Sequence, residues 1–451
     1  MSTQNRREYF TTTPIPKLIM TLSFPTIISM LVTGIYNTAD TFFVSRVSSN
    51  PEVNTAATAS VGLVFTVMAI IQAAGFFCGH GSGNYLSRML GAEKYEEADE
   101  MASTGFALSI ILGIAFALIG NIFLTDIAGA LGAKSAQTLT FTKQYMRIIL
   151  LGAPFMMAQF VINNQLRFQG SAYYAMIGLM SGAAMNMILD PLLIMVFHME
   201  VTGAAIATVM GQITSFFVLL IGTTKGENIK LNIKKVRLNG HYLFEIANGG
   251  GPSLARQGLA AIATLVLNRT AGSIGADAAI AGMSVATRIL MLMVSALIGF
   301  GQGYQPVCSF NYGAGLTARV KEGFFFCLKY ASIFLLGLGA VCFYFAPNLI
   351  ALFSKDAAAV EVGVKALRFQ CATLFLSGPI VMSNMMLQSI GKGVKASITA
   401  SARYGICFLP MILLLPRLFG ITGVEIAQPC ADVLSTLIAV PFAYSELRKF
   451  K

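Results

Sequence analysis

Apolar segments of roughly 20 residues recur along this chain, and they constrain its fold more than any other feature. An α-helix needs a run of about that length to cross the hydrocarbon layer of a bilayer. Charged residues make up only 11% of the chain, against ~25% in a typical soluble domain. Lipid must therefore be the solvent for much of the surface, and the sequence predicts an all-α polytopic protein whose constant partner is the lipid bilayer. We predict twelve transmembrane helices, at 17–43, 55–79, 101–124, 140–162, 172–197, 204–223, 248–271, 279–303, 323–346, 366–390, 396–418 and 421–444.

Positively charged residues set the expected orientation in the membrane. Most of the 31 Lys and Arg residues fall in the N-terminal tail, the even-numbered connections and the C-terminal tail. Cytoplasmic connections of membrane proteins carry such an excess. We therefore expect a multi-pass protein of the inner (cytoplasmic) membrane of the cell, with both termini cytoplasmic. The same bias accounts for the net charge of +11 without nucleic acid as a partner.

The second half of the sequence repeats the first. GHG at 79–81 recurs as GQG at 301–303, and TGAAIA at 202–207 recurs as TGVEIA at 422–427. The motifs keep their order and nearly the same offset, which is the signature of an internal duplication. Six helices per copy is an even number, so both copies insert with the same orientation and are related by a pseudo-twofold axis along the membrane normal.

This duplication predicts the domain organisation. We expect an N-terminal six-helix lobe at 1–224, a cytoplasmic linker at 225–244 and a C-terminal six-helix lobe at 245–451. A substrate cavity is expected between the two lobes, as in other transporters built from repeats.

Two carboxylates lie within the predicted spans of the first half, Asp40 in GIYNTADTFF and Asp190 in AAMNMILDPLL. A charge at such a position costs about 2.5–3.5 kcal/mol on insertion scales, so each residue is a functional candidate. Asn186 lies four residues before Asp190 and shares its helix face. Pro191 cannot donate a hydrogen bond to the carbonyl of Met187. This group of oxygens suits a proton, a water molecule or Na⁺. The alternatives are that Asp190 only satisfies the backbone at a kink and that Asp40 is hydrated at the outer end of helix 1.

Three other signals are weaker. GHGSG at 79–83 resembles a phosphate loop, but no strand precedes it, and we interpret it as a loop that ends a helix. The three histidines fall in different connections, so no metal site is predicted from them. Arg288 lies within predicted helix 8, where we expect it to pair with Glu425 or Asp432 or to meet anionic groups of a substrate.

Several runs together resemble the multidrug and toxic compound extrusion (MATE) family along essentially the whole chain. They are GHGSGNYLSRMLGA, NMILDPLLI, GFGQGYQPVCSFNYGAG and TGVEIAQPCAD. The resemblance implies two six-helix lobes around a V-shaped cavity, and multidrug efflux by antiport against Na⁺ or H⁺, an activity that confers antibiotic resistance. It also implies cationic or amphipathic organic substrates and no cofactor besides the coupling ion. We expect a monomer.

The family has branches that differ in the position of the cation site. The NorM-like branch uses acidic residues in helices 7 and 10, but the runs 248–271 and 366–390 contain no Asp or Glu. The first lobe is similar instead to the DinF-like branch, and the whole chain to the MepA-type exporters. This resemblance implies an ion-coupling site whose Na⁺ ligands would be Asp40, Asn186, Asp190 and Thr208. The remaining matches are Tyr36 one turn before Asp40, the bending proline Pro25 in helix 1, and, more loosely, Tyr145 and Asn163 in helix 4.

Two other classes of protein compete with an exporter. A related flippase of the same superfamily, which moves lipid-linked saccharides or other lipid precursors, often has more helices and a cationic cavity. An intramembrane enzyme would need metal ligands or a nucleophile–base pair within the spans, and we find neither in the sequence. We therefore predict a transporter rather than an enzyme.

Overall fold

The computed structural model describes residues 3–44, 51–133, 135–226, 228–353 and 356–450, without the side chains at 3, 4, 35–42, 51 and 275–277. Within these ranges the chain is helical and contains no strand. Short π-helical turns follow α7 at Leu192–Val196 and α14 at Ala402–Ile406, and 3₁₀ turns lie at Ile233–Lys235 and Leu374–Leu376. The α-helices are α1 (Thr3–Thr12), α2 (Ile15–Val44), α3 (Pro51–Gly91), α4 (Tyr95–Ile122), α5 (Leu124–Ala130), α6 (Ala136–Phe168), α7 (Ala172–Pro191), α8 (Glu200–Thr223), α9 (Gly240–Gly313), α10 (Thr317–Tyr344), α11 (Ala346–Ala351), α12 (Ala357–Thr373), α13 (Ser377–Ser389), α14 (Gly393–Ser401), α15 (Phe408–Phe419) and α16 (Ile421–Leu447).

Eleven stretches of the described residues are long and apolar enough to cross a membrane. They match every predicted span except the seventh, 248–271, which lies in the first part of α9. A Cβ atom added to Gly272 would lie 2.7 Å from Cδ1 of Ile280. Eight residues of straight helix rise about 12 Å, so α9 bends sharply here. Such a bend fits two successive crossings, although we predicted a loop between them.

The described chain divides into two compact units. The first comprises Met1–Tyr9 and Ile28–Gly250, and the second comprises Phe10–Ile27 and Gly251–Lys451. The first half of α2 therefore belongs to the second unit, where the Ser23 hydroxyl donates to the carbonyl of Phe300 at 3.0 Å. The predicted lobe and linker boundaries stay predictions.

The GHG motif lies inside α3, so our interpretation of GHGSG as a loop that ends a helix was wrong. A Cβ atom on Gly81 would lie 2.3 Å from the carbonyl oxygen of Ile246, within the first unit. In the second unit, a Cβ atom on Gly303 would lie 2.3 Å from Oγ of Ser23. These glycines recur because a neighbouring chain segment passes too close for any side chain.

The polar connector from Lys225 to Asn239 is held against α4 in the first unit. The backbone N–H of Asn232 donates to Oγ of Ser103 at 3.1 Å, and that of Arg237 donates to Oγ1 of Thr104 at 2.9 Å. The Arg237 side chain also donates to Glu100 at 3.0 Å. These three hydrogen bonds attach the connector to α4 and fix its path.

Helix α6 is the central helix of the first unit. It packs against α3, α4 and α8, and every residue from Met156 to Phe168 is buried. Helix α7 packs chiefly against α8. Asn186 and Asp190 of α7 and Thr208 of α8 are buried, which makes them candidates for a site.

Candidate cation-binding site

Helices α7 and α8 cross at a set of small residues. A Cβ atom on Gly182 would lie 2.8 Å from Cβ of Ser215, and one on Gly211 would lie 3.2 Å from Cβ of Asn186. Each step of four residues forward along α7 thus corresponds to four residues backward along α8. The two helices are antiparallel and in close contact, because glycine lets their backbones approach.

This register places Asp190 beside the turn of α8 that contains Thr208. One further step along α7 from Asn186 reaches Asp190, and one step back along α8 from Gly211 reaches Ala207. Beyond this level the two segments stay in contact, since a Cβ atom on Gly203 would lie 3.1 Å from Cβ of Leu193. The structure therefore places Asn186 and Asp190 along the contact with α8, and Thr208 directly follows the α8 residue at the level of Asp190.

The carboxylate and the amide of α7 contact each other. Nδ2 of Asn186 donates to Oδ1 of Asp190 at 3.4 Å, and the two residues are 3% and 1% exposed. Thr208 is 7% exposed. The amide oxygen of Asn186 accepts no hydrogen bond from the residues that the structure describes. Asp190 lies six residues inside the end of the span Ala172–Val196, about 9 Å along the helix, and so within the apolar layer.

The helix changes geometry directly after this carboxylate. Helix α7 ends at Pro191, and a π-helical turn follows at Leu192–Val196. The backbone N–H of Phe197 donates to the carbonyl of Leu192 at 3.0 Å, which is the wider π-helical pattern. Because proline has no N–H, the carbonyl four residues before it loses its usual helical donor. This carbonyl belongs to Met187, three residues before Asp190 on the same helix.

These groups supply a carboxylate, an amide oxygen, a hydroxyl and a backbone carbonyl. Oxygen ligands of this kind, next to an interrupted helix, bind Na⁺ or H⁺ in membrane transporters. Transition metals favour clusters of His, Cys and carboxylate ligands, and the described part of the chain contains no such cluster. The chemistry of the donor set therefore fits a monovalent cation or a proton.

Two predicted residues of α6 lie at other levels. A Cβ atom on Gly152 would lie 2.7 Å from Cγ2 of Val209, and one on Gly222 would lie 3.3 Å from Cδ1 of Leu166, so α6 and α8 run parallel. By this register, Tyr145 is about 8 Å along the axis from the carboxylate and Asn163 about 20 Å in the other direction. Asn163 instead donates to the carbonyl of Ala175 at 2.9 Å, at the start of α7.

The predicted residues of helix 1 are only partly described. Tyr36 and Asp40 lie on α2, but their side chains lie outside the described residues. Pro25 is buried in the part of α2 that belongs to the second unit. Beside it, the Thr26 hydroxyl donates to the carbonyl of Gly299 at 2.6 Å within the same unit. The roles of these three predicted residues stay predictions.

Two glutamines near the site were missed at the sequence level. Nε2 of Gln159 on α6 donates to Oε1 of Gln212 on α8. Gln212 directly follows Gly211, the residue that contacts Asn186. The available signal was the spacing of four residues from Thr208 to Gln212, which places both on one face of α8.

The second unit contains a buried ion pair that differs from the one we predicted. Nε and Nη2 of Arg403 donate to Oδ1 and Oδ2 of Asp432 at 2.9 and 3.3 Å. Gln428 also donates to Asp432 at 2.8 Å. Arg288 is exposed and forms no ion pair among the described residues. The predicted pairing of Arg288 with Asp432 or Glu425 was therefore wrong, because Arg403 on a nearer element holds the aspartate.

Duplicated apolar helices with an intramembrane carboxylate are features of secondary transporters. A family model described as MatE matches the chain twice, at residues 25–192 and 252–414. These two matches coincide with the two copies of the internal repeat. The chain belongs to the MatE family of multidrug efflux transporters, and it is a transporter rather than an enzyme.

Individual relatives agree over nearly the full length. The chain is 30% identical over 438 residues to the multidrug export protein MepA of Staphylococcus aureus (strain NCTC 8325 / PS 47), covering 97% of this chain and 95% of that protein. A solved outward-facing structure of a multidrug resistance MATE transporter of the MOP superfamily superposes with a TM-score of 0.91 at 26% identity, covering 100% of this chain and 99% of that one.

A MOP superfamily transporter from Pyrococcus furiosus, whose binding pocket is described as having reversed polarity and a different function, superposes with a TM-score of 0.90 at 26% identity, covering 98% of each chain. These matches confirm the predicted fold class of twelve transmembrane helices in two six-helix lobes, and they confirm the family resemblance.

Proposed function

We propose that this protein exports organic small molecules by antiport against H⁺ or Na⁺, with the coupling ion bound between α7 and α8. The observation that carries the proposal is the Asn186–Asp190 pair, buried about 9 Å inside a membrane span. Membership of a multidrug efflux family and the similarity to MepA support the direction of transport and the class of substrate.

The buried carboxylate gives a physical basis for coupling. An ionised carboxylate is expensive inside an apolar layer, and binding of a proton or Na⁺ lowers that cost. Ion binding therefore stabilises one conformation relative to the other, and it can do so only through this difference in affinity. We propose that the two lobes alternate between access to either side, so that ion entry and substrate exit occur in the same cycle.

Helix 1 completes the proposed site. Asp40 would supply a second carboxylate, with Tyr36 one turn away, and Pro25 would let the helix bend as the ion binds. Carboxylates within a membrane span attract cations, which is why we propose cationic or amphipathic organic substrates. The charge bias of the connections supports placement in the cytoplasmic membrane with both termini inside, and we propose that the protein acts as a monomer.

Overexpression in a drug-sensitive bacterium tests the exporter assignment. We expect raised resistance to ethidium and faster energy-dependent ethidium efflux from loaded cells. Asp190→Asn keeps the size and hydrogen bonding of the side chain but removes its charge, and it should abolish the gain. The matched control is Asp126→Asn, which alters an exposed carboxylate on α5 and should keep it. Unchanged dye resistance on overexpression of the wild type would favour the flippase alternative.

A further inference from the structure

Helix α16 carries a buried carboxylate that the proposed first-lobe site does not use. Glu425 is 1% exposed. Neither of its carboxyl oxygens accepts a hydrogen bond from any residue that the structure describes. This contrasts with Asp432, two turns along the same helix, which is held by Arg403 and Gln428.

The charged residues around Glu425 do not neutralise it by contact. Glu361 and Lys365 on α12 are within electrostatic reach, but they pair with each other at 2.7 Å and are largely exposed. The other charged residues on elements packed against α16 point elsewhere: Lys395 of α14 pairs with Glu446, Arg403 pairs with Asp432, Arg368 of α12 donates to the carbonyl of Phe343, and Arg417 of α15 is exposed.

The fold does not require an acid at this position. In the internal repeat, TGVEIA at 422–427 aligns with TGAAIA at 202–207, so the counterpart of Glu425 in the first copy is Ala205. Ala205 is 0% exposed, and it packs in the core of the first unit. A buried, unpaired carboxylate costs free energy that an alanine would not. An ionisable residue that is kept inside a membrane span at such a cost is a functional candidate.

Glu425 also lies close to one end of its span. It follows the start of α16 at Ile421 by four residues, about 6 Å along the helix. This end is the one that the charge bias predicts to be external. A proton from the external solution would therefore reach the carboxylate after crossing only the first turn of the helix.

We propose that Glu425 is a second proton-binding site, located in the second lobe and loaded from the end of the membrane where α16 begins. The proton passes from water to one carboxyl oxygen, and the residue becomes a neutral acid that the apolar surroundings tolerate. Occupancy of this site does not depend on the first-lobe site. Only its contribution to efflux rests on the proposed antiport.

Infrared difference spectroscopy of the full-length protein in proteoliposomes tests this proposal. We expect the carbonyl band of a protonated carboxylic acid without a hydrogen-bond partner, and we expect the band to disappear as the pH of the buffer is raised. Glu425→Gln should remove the band, and the exposed-carboxylate variant Asp126→Asn should retain it. If the wild type and Glu425→Gln gave the same spectrum at every pH, the proposal would be overturned.

Two further variants keep the test decisive. Glu425→Ala copies the residue of the first copy, so it should fold and should also lack the band. Asp190→Asn should retain it, which separates this site from the first-lobe site. A band that survives in Glu425→Ala but disappears in Asp190→Asn would assign it to Asp190 and refute the second site, whatever the outcome for antiport.

Discussion

The buried ion pair of the second unit allows a quantitative prediction. Asp432→Asn keeps an oxygen that can accept from Gln428 but leaves the Arg403 guanidinium, which is 7% exposed, without its counter-charge. Breaking a buried pair from one side costs about 3–5 kcal/mol. Because the asparagine oxygen still accepts one hydrogen bond, we expect the lower end of this range. For a cooperative unit of this size, a loss of about 3 kcal/mol lowers the melting temperature by about 6–12 °C.

Thermal unfolding of the purified protein in detergent measures this effect. Glu361→Gln is the matched control, because it breaks the exposed Lys365–Glu361 pair, and such pairs contribute little. Replacing both buried partners, Arg403→Met with Asp432→Leu, should recover most of the loss, since no charge is left unpaired. The reasoning would be refuted if Asp432→Asn melted like Glu361→Gln, or if the double variant were less stable than the single one.

The remaining predictions concern the first unit. Gly182→Ala should destabilise the α7–α8 contact by about 1–3 kcal/mol, because the new Cβ would lie 2.6 Å from the carbonyl oxygen of Gly211. Gly62→Ala, with nothing within 4 Å of the new Cβ, should be neutral or stabilising in the same melting assay. Thr104→Val removes the acceptor for the backbone N–H of Arg237 and should speed proteolysis of the connector; an unchanged cleavage rate would contradict its anchoring by α4.

The sequence was most informative where a pattern is local or repeated. The apolar spans and the duplication predicted the class of fold, because the length of each span and the offset of the repeat can be read from the sequence alone. The Asn186–Asp190 contact was also predictable, since residues four apart share a helix face. The bend of α9 was not, because a helix that continues through a connection has the same apolar composition as two separate helices.

Contacts between distant segments could not be predicted from the sequence. Arg403 lies 29 residues before Asp432 and on another element, so no spacing rule links them. Arg288 was a reasonable but wrong partner, chosen because it was a conspicuous charge in a predicted span. Tyr145 and Asn163 came from a resemblance, and only the packing of α6 on α8 shows how far each lies from the carboxylate.

The burial of Glu425 was hidden for a similar reason. It stands near the start of a predicted span, where a glutamate can extend to water. The structure shows that both of its oxygens are enclosed. The alignment of Glu425 with Ala205 of the first copy was visible in the sequence. It indicates a function only once Glu425 is known to be buried, because an exposed glutamate at this position would cost little.

Coupled transport in proteoliposomes tests the central claim most directly. The purified protein is reconstituted, and a proton gradient or a sodium gradient is imposed separately. Uptake of ethidium in exchange for that ion is followed for the wild type and for Asp190→Asn. We predict that one of the two gradients drives uptake by the wild type and that neither drives uptake by Asp190→Asn. Uptake by the wild type that depends on neither gradient, or gradient-driven uptake by Asp190→Asn at the wild-type rate, would contradict the account.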